Sequence, residues 1–316
     1  MVNRNCYVCG GARHHEILRQ ECDDSYLSLI DPKLNRECRA IVVCENCGFV
    51  FHSPTLTDEE IAAMYERFRD ADFRKETPDH YFDRITSLPK EESLNYQKVQ
   101  KLNLLMAKYG PARQPRTIYD VGIGGGVFVK TFLDYAQGSW TAYGVEPTRS
   151  YAELAARRLG IPVKSQFYEP QLFGHRFDLI TAIKVIEHAR NPIAFLKGLR
   201  QDLQDDGIVY VEVPNMKELF SLPADHDQLL YTHLYFYSDR IFEHLCRMAG
   251  FQIVWTEQTL NREGDWDLNS ILRKDPAGST YACRMPLYDY REILGMRRSP
   301  PHAPERPPSE ESRVQV

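Results

Sequence analysis

Two rhythms of apolar and polar positions alternate along this chain. Short runs rich in β-branched and aromatic residues read as strands: Ile118–Val121, Tyr143–Val145, Phe177–Ile183, Ile208–Val213 and Phe251–Thr256. Between them lie stretches with helical start and stop signals. Glu91–Tyr109 ends at Gly110-Pro111, Ile193–Leu203 follows Asn191-Pro192, and Ser238 is placed to cap a helix that stops at Gly250. Upstream, Thr57-Asp58-Glu59-Glu60 is a capping box that opens a helix through Met64-Tyr65 to Phe68. Tyr281–Met285 is expected as a final strand. Strands alternating with helices predict an α/β fold, a doubly wound and mostly parallel sheet covered on both faces.

The turn after the first of these strands carries the strongest chemical signal. Asp120-Val121-Gly122-Ile123-Gly124-Gly125-Gly126 lets the backbone turn tightly and approach a ligand, and the next strand ends on Glu146, an acid placed to meet a ribose diol. Dinucleotide sites space their glycines Gly-x-Gly-x-x-Gly. Here the third glycine falls at 126 and Val127 holds the dinucleotide position. The pattern Asp120-x-Gly122-x-Gly124-x-Gly126 instead resembles the class I S-adenosylmethionine (SAM) methyltransferases, whose fold is Rossmann-like. The resemblance spans about Thr117 to Met285. It implies that Asp120, Gly122, Gly124 and Gly126 border the methionyl part of SAM and that Glu146 accepts from both ribose hydroxyls. It adds Lys184, after the fourth strand, as a cofactor-side candidate. Where many relatives place an acid for the adenine amine, this chain has Val163-Lys164-Ser165-Gln166-Phe167-Tyr168. Gln166 is the expected adenine ligand, with stacking by the aromatic pair as the alternative.

The cysteines point to a second ligand. Cys6-Tyr7-Val8-Cys9-Gly10 and Cys44-Glu45-Asn46-Cys47-Gly48 are two Cys-x-x-Cys knuckles, each followed by a glycine suited to a tight turn around a metal. A four-cysteine Zn2+ site is expected, structural because four protein ligands leave no open position. Cys22, Cys38, His14 and His15 are weaker ligand candidates. The order of the two knuckles, Phe49–Pro54, the capped helix and then the SAM domain resembles bacterial methyltransferases with an N-terminal zinc-binding module. That group includes nucleotide-sugar C-methyltransferases and enzymes of polysaccharide and natural-product pathways. In the ketosugar enzymes a Glu-His pair precedes an aromatic-Phe-Ser run. This chain offers Thr232-His233 before Leu234-Tyr235-Phe236-Tyr237-Ser238, so the histidine matches and the glutamate does not. His233 and His188 are the candidate catalytic bases, with Asp225 and His226 weaker substrate candidates.

These readings divide the chain into a zinc-binding module (1–56), a helical linker or lid (57–115), a SAM-dependent methyltransferase domain (116–290) and a disordered Pro-rich tail (291–316). A net charge of −5 gives no overall footprint for nucleic acid, so a small-molecule acceptor is expected. The sugar or natural-product precursor expected as acceptor follows from the resemblance. The alternatives are a methyltransferase acting on RNA or protein through the zinc module, and a scaffold that keeps the fold without catalysis. With no apolar run of about 18 residues and no charged-then-apolar leader, a cytoplasmic protein without a membrane span is expected.

Overall fold

The computed structural model describes residues 1–68, 71–217, 219, 222, 223, 225–261, 264–276 and 290–296. The expected final strand at 281–285 lies outside these residues, as does the expected disordered tail (291–316) from 297 onward, while its first residues, 291–296, are helical.

The N-terminal elements are β1 (His14–Gln20), α1 (Ser25–Ile30), β2 (Arg39–Cys44) and β3 (Val50–Ser53). Four helices follow: α2 (Asp58–Arg67), α3 (Ala71–Arg74), α4 (Pro78–Thr86) and α5 (Leu94–Tyr109). Each expected cap is present where it was legible. Thr57 accepts from the Glu60 amide at 3.2 Å while the Glu60 carboxylate accepts from the Thr57 amide at 2.7 Å, closing the capping box of α2.

Next come β4 (Arg116–Val121), α6 (Val127–Tyr135), β5 (Trp140–Val145), α7 (Arg149–Leu159), β6 (Val163–Lys164), β7 (Phe177–Ile183), α8 (Pro192–Asp202) and β8 (Leu203–Pro214). Beyond them lie β9 (Tyr235–Phe236), α9 (Asp239–Met248), β10 (Phe251–Leu260), β11 (Trp266–Lys274) and α10 (Tyr290–Met296). The large sheet has the order β10-β11-β8-β7-β4-β5-β6. Its strands are parallel except β11, which runs antiparallel to both neighbours. Strand β11 was not legible in the sequence, because Asp267, Asn269 and Ser270 interrupt its apolar positions.

Alternation along each strand sorts the side chains onto two cores. Ile118, Leu179, Ile208, Tyr210 and Ile271 point to the face covered by α5 and α6, where Leu102, Met106, Val129 and Phe132 meet them. Tyr119, Ile180, Val209, Val211 and Leu272 point to the face covered by α8 and α9. The order reverses at β4, whose neighbours β5 and β7 send their connections in opposite directions. A crevice therefore opens at the carboxyl ends of β4 and β7, where such sheets hold ligands.

One face of the N-terminal region packs into the second of these cores, with Val8, Phe49, Phe51, Leu56, Ile61 and Met64 continuous with it, while Ile17, Ile41, Val43 and Val50 meet Met216, Leu229 and Phe236 in a third core. Its antiparallel sheet, β1-β2-β3-β9, takes its fourth strand from far along the chain, with Val50 opposite Phe236 and Phe51 opposite Tyr235. Phe49 stacks on Tyr235 at 5.4 Å between ring centroids and also faces Tyr237 at 6.3 Å. A Phe49→Ala variant is expected to lose about 3–5 kcal/mol, the usual cost of truncating a fully buried phenylalanine. Urea unfolding of the whole chain, followed by tryptophan fluorescence, measures it. A loss below about 1 kcal/mol would mean that the two sheets do not share a core.

Candidate functional site

Strand β4 ends inside the sheet, so the chain must turn at once. Gly122, Gly124 and Gly126 all have positive φ, at 77°, 54° and 87°, which a residue with a Cβ adopts only under strain. The amides of Gly122 and Ile123 donate to the Val145 carbonyl at 2.9 and 3.0 Å, tying the loop to the end of β5. Glu146, 2% exposed, sits beside it. One of its carboxylate oxygens accepts from the Gly124 amide and the other from the Thr148 amide, both at 3.0 Å. A carboxylate has about four acceptor sites, so two such bonds orient it and leave capacity for a diol.

Asp120, at the end of β4, is buried, and the Thr181 hydroxyl of neighbouring β7 donates to it at 2.5 Å. Burial raises the Asp120 carboxyl to about 7; the Thr181 bond pulls it down and the Glu146 charge pushes it up.

These groups line a cavity of about 1520 Å³ that runs along the carboxyl edge of the sheet. Its walls also include Ile61 and Tyr65 of α2, Tyr81 and Arg84 of α4, and Lys98 and Lys101 of α5, so the helices expected as a lid do border the space. Salt bridges from Arg157 to Asp79 at 2.9 Å and from Arg158 to Asp83 fasten α4 to α7. Phe167 lines the cavity and meets Tyr65 edge-on at 5.2 Å. Gln166 does not line it and is exposed, whereas both members of the alternative aromatic pair, Phe167 and Tyr168, do line it. Strand β6 is only two residues long, so alternation gave no register from which to count past it.

At the other end of the cavity, the loops after β7 and before β9 bring His188 and His233 together, with ring centroids 5.0 Å apart. The Nδ1 of His188 bonds to the Thr232 carbonyl, and that of His233 to the Gln228 carbonyl at 3.1 Å. A carbonyl only accepts, so both Nδ1 atoms carry a proton, and a second ring proton is not required of Nε2. Burial lowers His233 to about 4, opposed by the Gln228 bond and reinforced by Lys184 and His226, so the ring is neutral at pH 7. Glu187, adjacent to His188, is fully buried, and burial raises it to about 8 despite the nearby Lys184 charge. The weaker candidate His226 lies 3.7 Å from Asp265, and Asp225 is exposed.

Sequence reasoning missed a third group, on β8 and β11. Glu212 pairs with Lys98 at 2.9 Å, Asp267 pairs with Lys184, and the Tyr210 hydroxyl donates to Asn269 at 2.7 Å. Burial would lower Lys184, but Asp267, Glu212 and Glu187 outweigh it and raise the ammonium. Lys184 lines the cavity and is held by this network.

The four cysteines form a separate cluster. Their Sγ atoms all lie within 4.8 Å of one another, with Cys6 to Cys47 and Cys9 to Cys44 both at 3.5 Å. Gly10 and Gly48 take the positive φ their turns need, 72° and 77°. Cys22, Cys38, His14 and His15 are not members of the cluster. Among the described residues no helix is long and apolar enough to cross a membrane.

Residues 90–256 match the family described as a methyltransferase domain. The tRNA U34 carboxymethyltransferase of Campylobacter lari is 24% identical over 177 residues, which cover 52% of this chain and 60% of that protein. That of Dichelobacter nodosus is 32% identical over 102 residues, 31% of this chain and 32% of its own length. The chain thus spans about three fifths or less of the curated relatives it matches. Among solved structures, the plantazolicin methyltransferase BamL is similar at a TM-score of 0.49 and 14% identity, covering 68% of this chain and 94% of that one.

The Asp120 environment has a measurable consequence. A carboxyl raised from 3.8 to about 7 on folding stabilises the fold fully below about 3.8, and that contribution is lost as pH rises through 7. An Asp120→Asn variant should therefore gain stability relative to the parent between pH 4 and 7.5, by on the order of 2–4 kcal/mol. Urea midpoints of both proteins across that range check it; a constant difference would place Asp120 in a polar environment.

Proposed function

The chain belongs to the methyltransferase-domain family, and on that premise we propose that it is a SAM-dependent methyltransferase acting on a small, oxygen-rich metabolite: a sugar, nucleotide sugar, or glycan or natural-product precursor. The observation that carries this reading is the polar wall of Tyr210, Glu212, Asp267 and Asn269, set within a cavity bordered by α2, α4 and α5. Such a wall offers both donors and acceptors to hydroxyl groups, and its charges are already paired internally.

In this reading the glycine loop and Asp120 border the methionyl part of SAM, Glu146 takes the ribose diol, and Phe167 lies on the adenine side. SAM supplies a methyl group on a sulfonium sulfur, which is an excellent leaving group. What remains for the protein is alignment, which can be worth about 7–11 kcal/mol when reacting atoms are held in near-attack geometry. His188 and His233 face the acceptor end and handle the acceptor's oxygen or its proton.

An RNA acceptor is the second reading. It is favoured by the tRNA U34 carboxymethyltransferases among the relatives, and the net charge of −5 weighs against it.

For the cysteine cluster we read a structural Zn2+. A tetrahedral ion with Zn–S near 2.3 Å has S···S edges of about 3.7–3.8 Å, close to the spacing of these sulfurs. Four thiolates so close need a cation; without one, contact with Cys44 pushes Cys6 up to about 12.

Calorimetric titration with SAM should show binding that Glu146→Ala weakens at least tenfold. Methyl uptake should then appear on nucleotide sugars or related hydroxylated metabolites rather than on tRNA. Uptake on tRNA alone, falling steeply with salt, would replace the small-molecule reading. Purified protein should carry one zinc at the thiolates, and a strong chelator should lower its melting temperature by about 10 °C or more. An unchanged melt after verified zinc removal would overturn the structural role.

A further inference from the structure

We infer that Glu187, His188 and His233 form a second metal site, one that takes a divalent transition cation at the acceptor end of the cavity. The inference rests on the proposed placing of the acceptor only for its role; the ion site itself stands on the geometry.

One ligand atom from each of the three residues lies within 4.8 Å of the others, in a cluster separate from the four cysteines. The His188 Nε2 is 3.9 Å from Glu187 Oε1. A six-coordinate ion with bonds near 2.1 Å has neighbouring ligands about 3 Å apart and opposite ligands about 4.2 Å apart, so sub-ångström shifts complete the set.

Three further features point to a cation. Both imidazoles give their Nδ1 proton to a backbone carbonyl, Thr232 for His188 and Gln228 for His233. That arrangement fixes the tautomer and turns the Nε2 lone pair outward, as the outer hydrogen bonds of metal-bound histidines do. Neither Glu187 oxygen has a hydrogen-bond partner, although the residue is fully buried. A buried carboxyl without donors stays ionised only where something positive meets it and otherwise keeps its proton, and Lys184 is already paired with Asp267. Finally, the backbone holds the set in place: the Leu234 amide donates to the Glu187 carbonyl at 2.8 Å, so the loop carrying His233 cannot drift from the loop carrying His188.

Two imidazoles and one carboxylate favour Fe, Co, Ni or Zn over Mg or Ca, and three protein ligands leave positions open on the ion. Because His188 and His233 line the cavity, those positions face the acceptor. The site thus selects acceptors that present two adjacent oxygens, such as a vicinal diol or a hydroxycarbonyl group.

The test is a Co2+ titration of full-length protein whose cysteine centre is already filled with zinc. The expected result is one further equivalent of Co2+, bound with weak d–d absorption and without the intense charge-transfer band of cobalt thiolate. Two paramagnetically shifted imidazole N–H signals should appear in the proton spectrum, one from each Nδ1–H. Glu187→Gln and His188→Asn should each weaken Co2+ binding at least tenfold while SAM affinity stays within threefold. The inference fails if the parent takes up no second equivalent, if the uptake shows only the thiolate band, or if folded variants bind as tightly as the parent. The shifted imidazole signals decide the question in the parent even where a variant does not fold. Because SAM binding is read separately, loss of the cofactor reading and loss of the metal site give different results.

Discussion

Everything around His188 and His233 depends on one short segment being held from two sides. Leu234 gives its amide to the Glu187 carbonyl at 2.8 Å, and its own carbonyl accepts from the His52 amide of β3 at 3.2 Å. Immediately afterwards the same segment becomes β9 and pairs with β3. His233 is therefore clamped between the loop after β7 and the sheet that carries the cysteine knuckles. The Tyr231 hydroxyl bonds to the Pro54 carbonyl at 2.9 Å, and the Tyr231 amide to Asp24 at 2.8 Å, so the segment is also anchored upstream. The cysteine cluster touches this segment from both knuckles: Tyr7, between Cys6 and Cys9, meets Tyr235 edge-on at 5.7 Å. Cys47 is followed within two residues by Phe49, and Phe49 stacks on Tyr235.

How much of this was legible depends on how local each signal is. The glycine loop and Glu146 were legible because a tight turn leaving a buried strand and an acid at the next strand's end are written in consecutive residues. The two knuckles were legible for the same reason. Which residue after β6 faces the cavity was not legible, because a two-residue strand carries no alternation from which to count. Strand β11 was missed because it is the polar wall: its cavity-facing Asp267 and Asn269 break the apolar pattern that announces a strand, and their partners Lys184 and Tyr210 lie 83 and 59 positions away. That N-terminal side chains share the core beneath the large sheet was not legible either. No local pattern reports a core shared with a sheet that begins so much further along the chain.

The charges in the cavity show what kind of ligand it suits. Lys98 and Lys184 are committed to Glu212 and Asp267, and Arg84 to Glu76 at 2.8 Å. Paired charges in a partly buried site are held in fixed directions and project little net field. A surface built to track a phosphate backbone would instead present unpaired cations in a row. The wall of this cavity is better matched to a ligand that is polar and uncharged where it meets β8 and β11, which agrees with hydroxyl recognition.

The glycine loop and the histidine loop are also coupled by volume. A Cβ on Gly122 would lie 2.6 Å from Cγ2 of Val185, well inside contact distance, and Gly122 already has a φ of 77°. Its absence lets the loop after β4 and the loop after β7 lie against each other. The residue before Val185, Lys184, has a φ of 56° without being glycine, a strained conformation that its amide bond to the Glu212 carbonyl at 2.8 Å helps to hold. The chain thus turns sharply at 184, packs Val185 on Gly122, and delivers Glu187 and His188 just beyond. Distance between the glycine loop and the two histidines is consequently set by one missing side chain and one strained backbone, both fixed by the strands that flank the point where the sheet reverses its order.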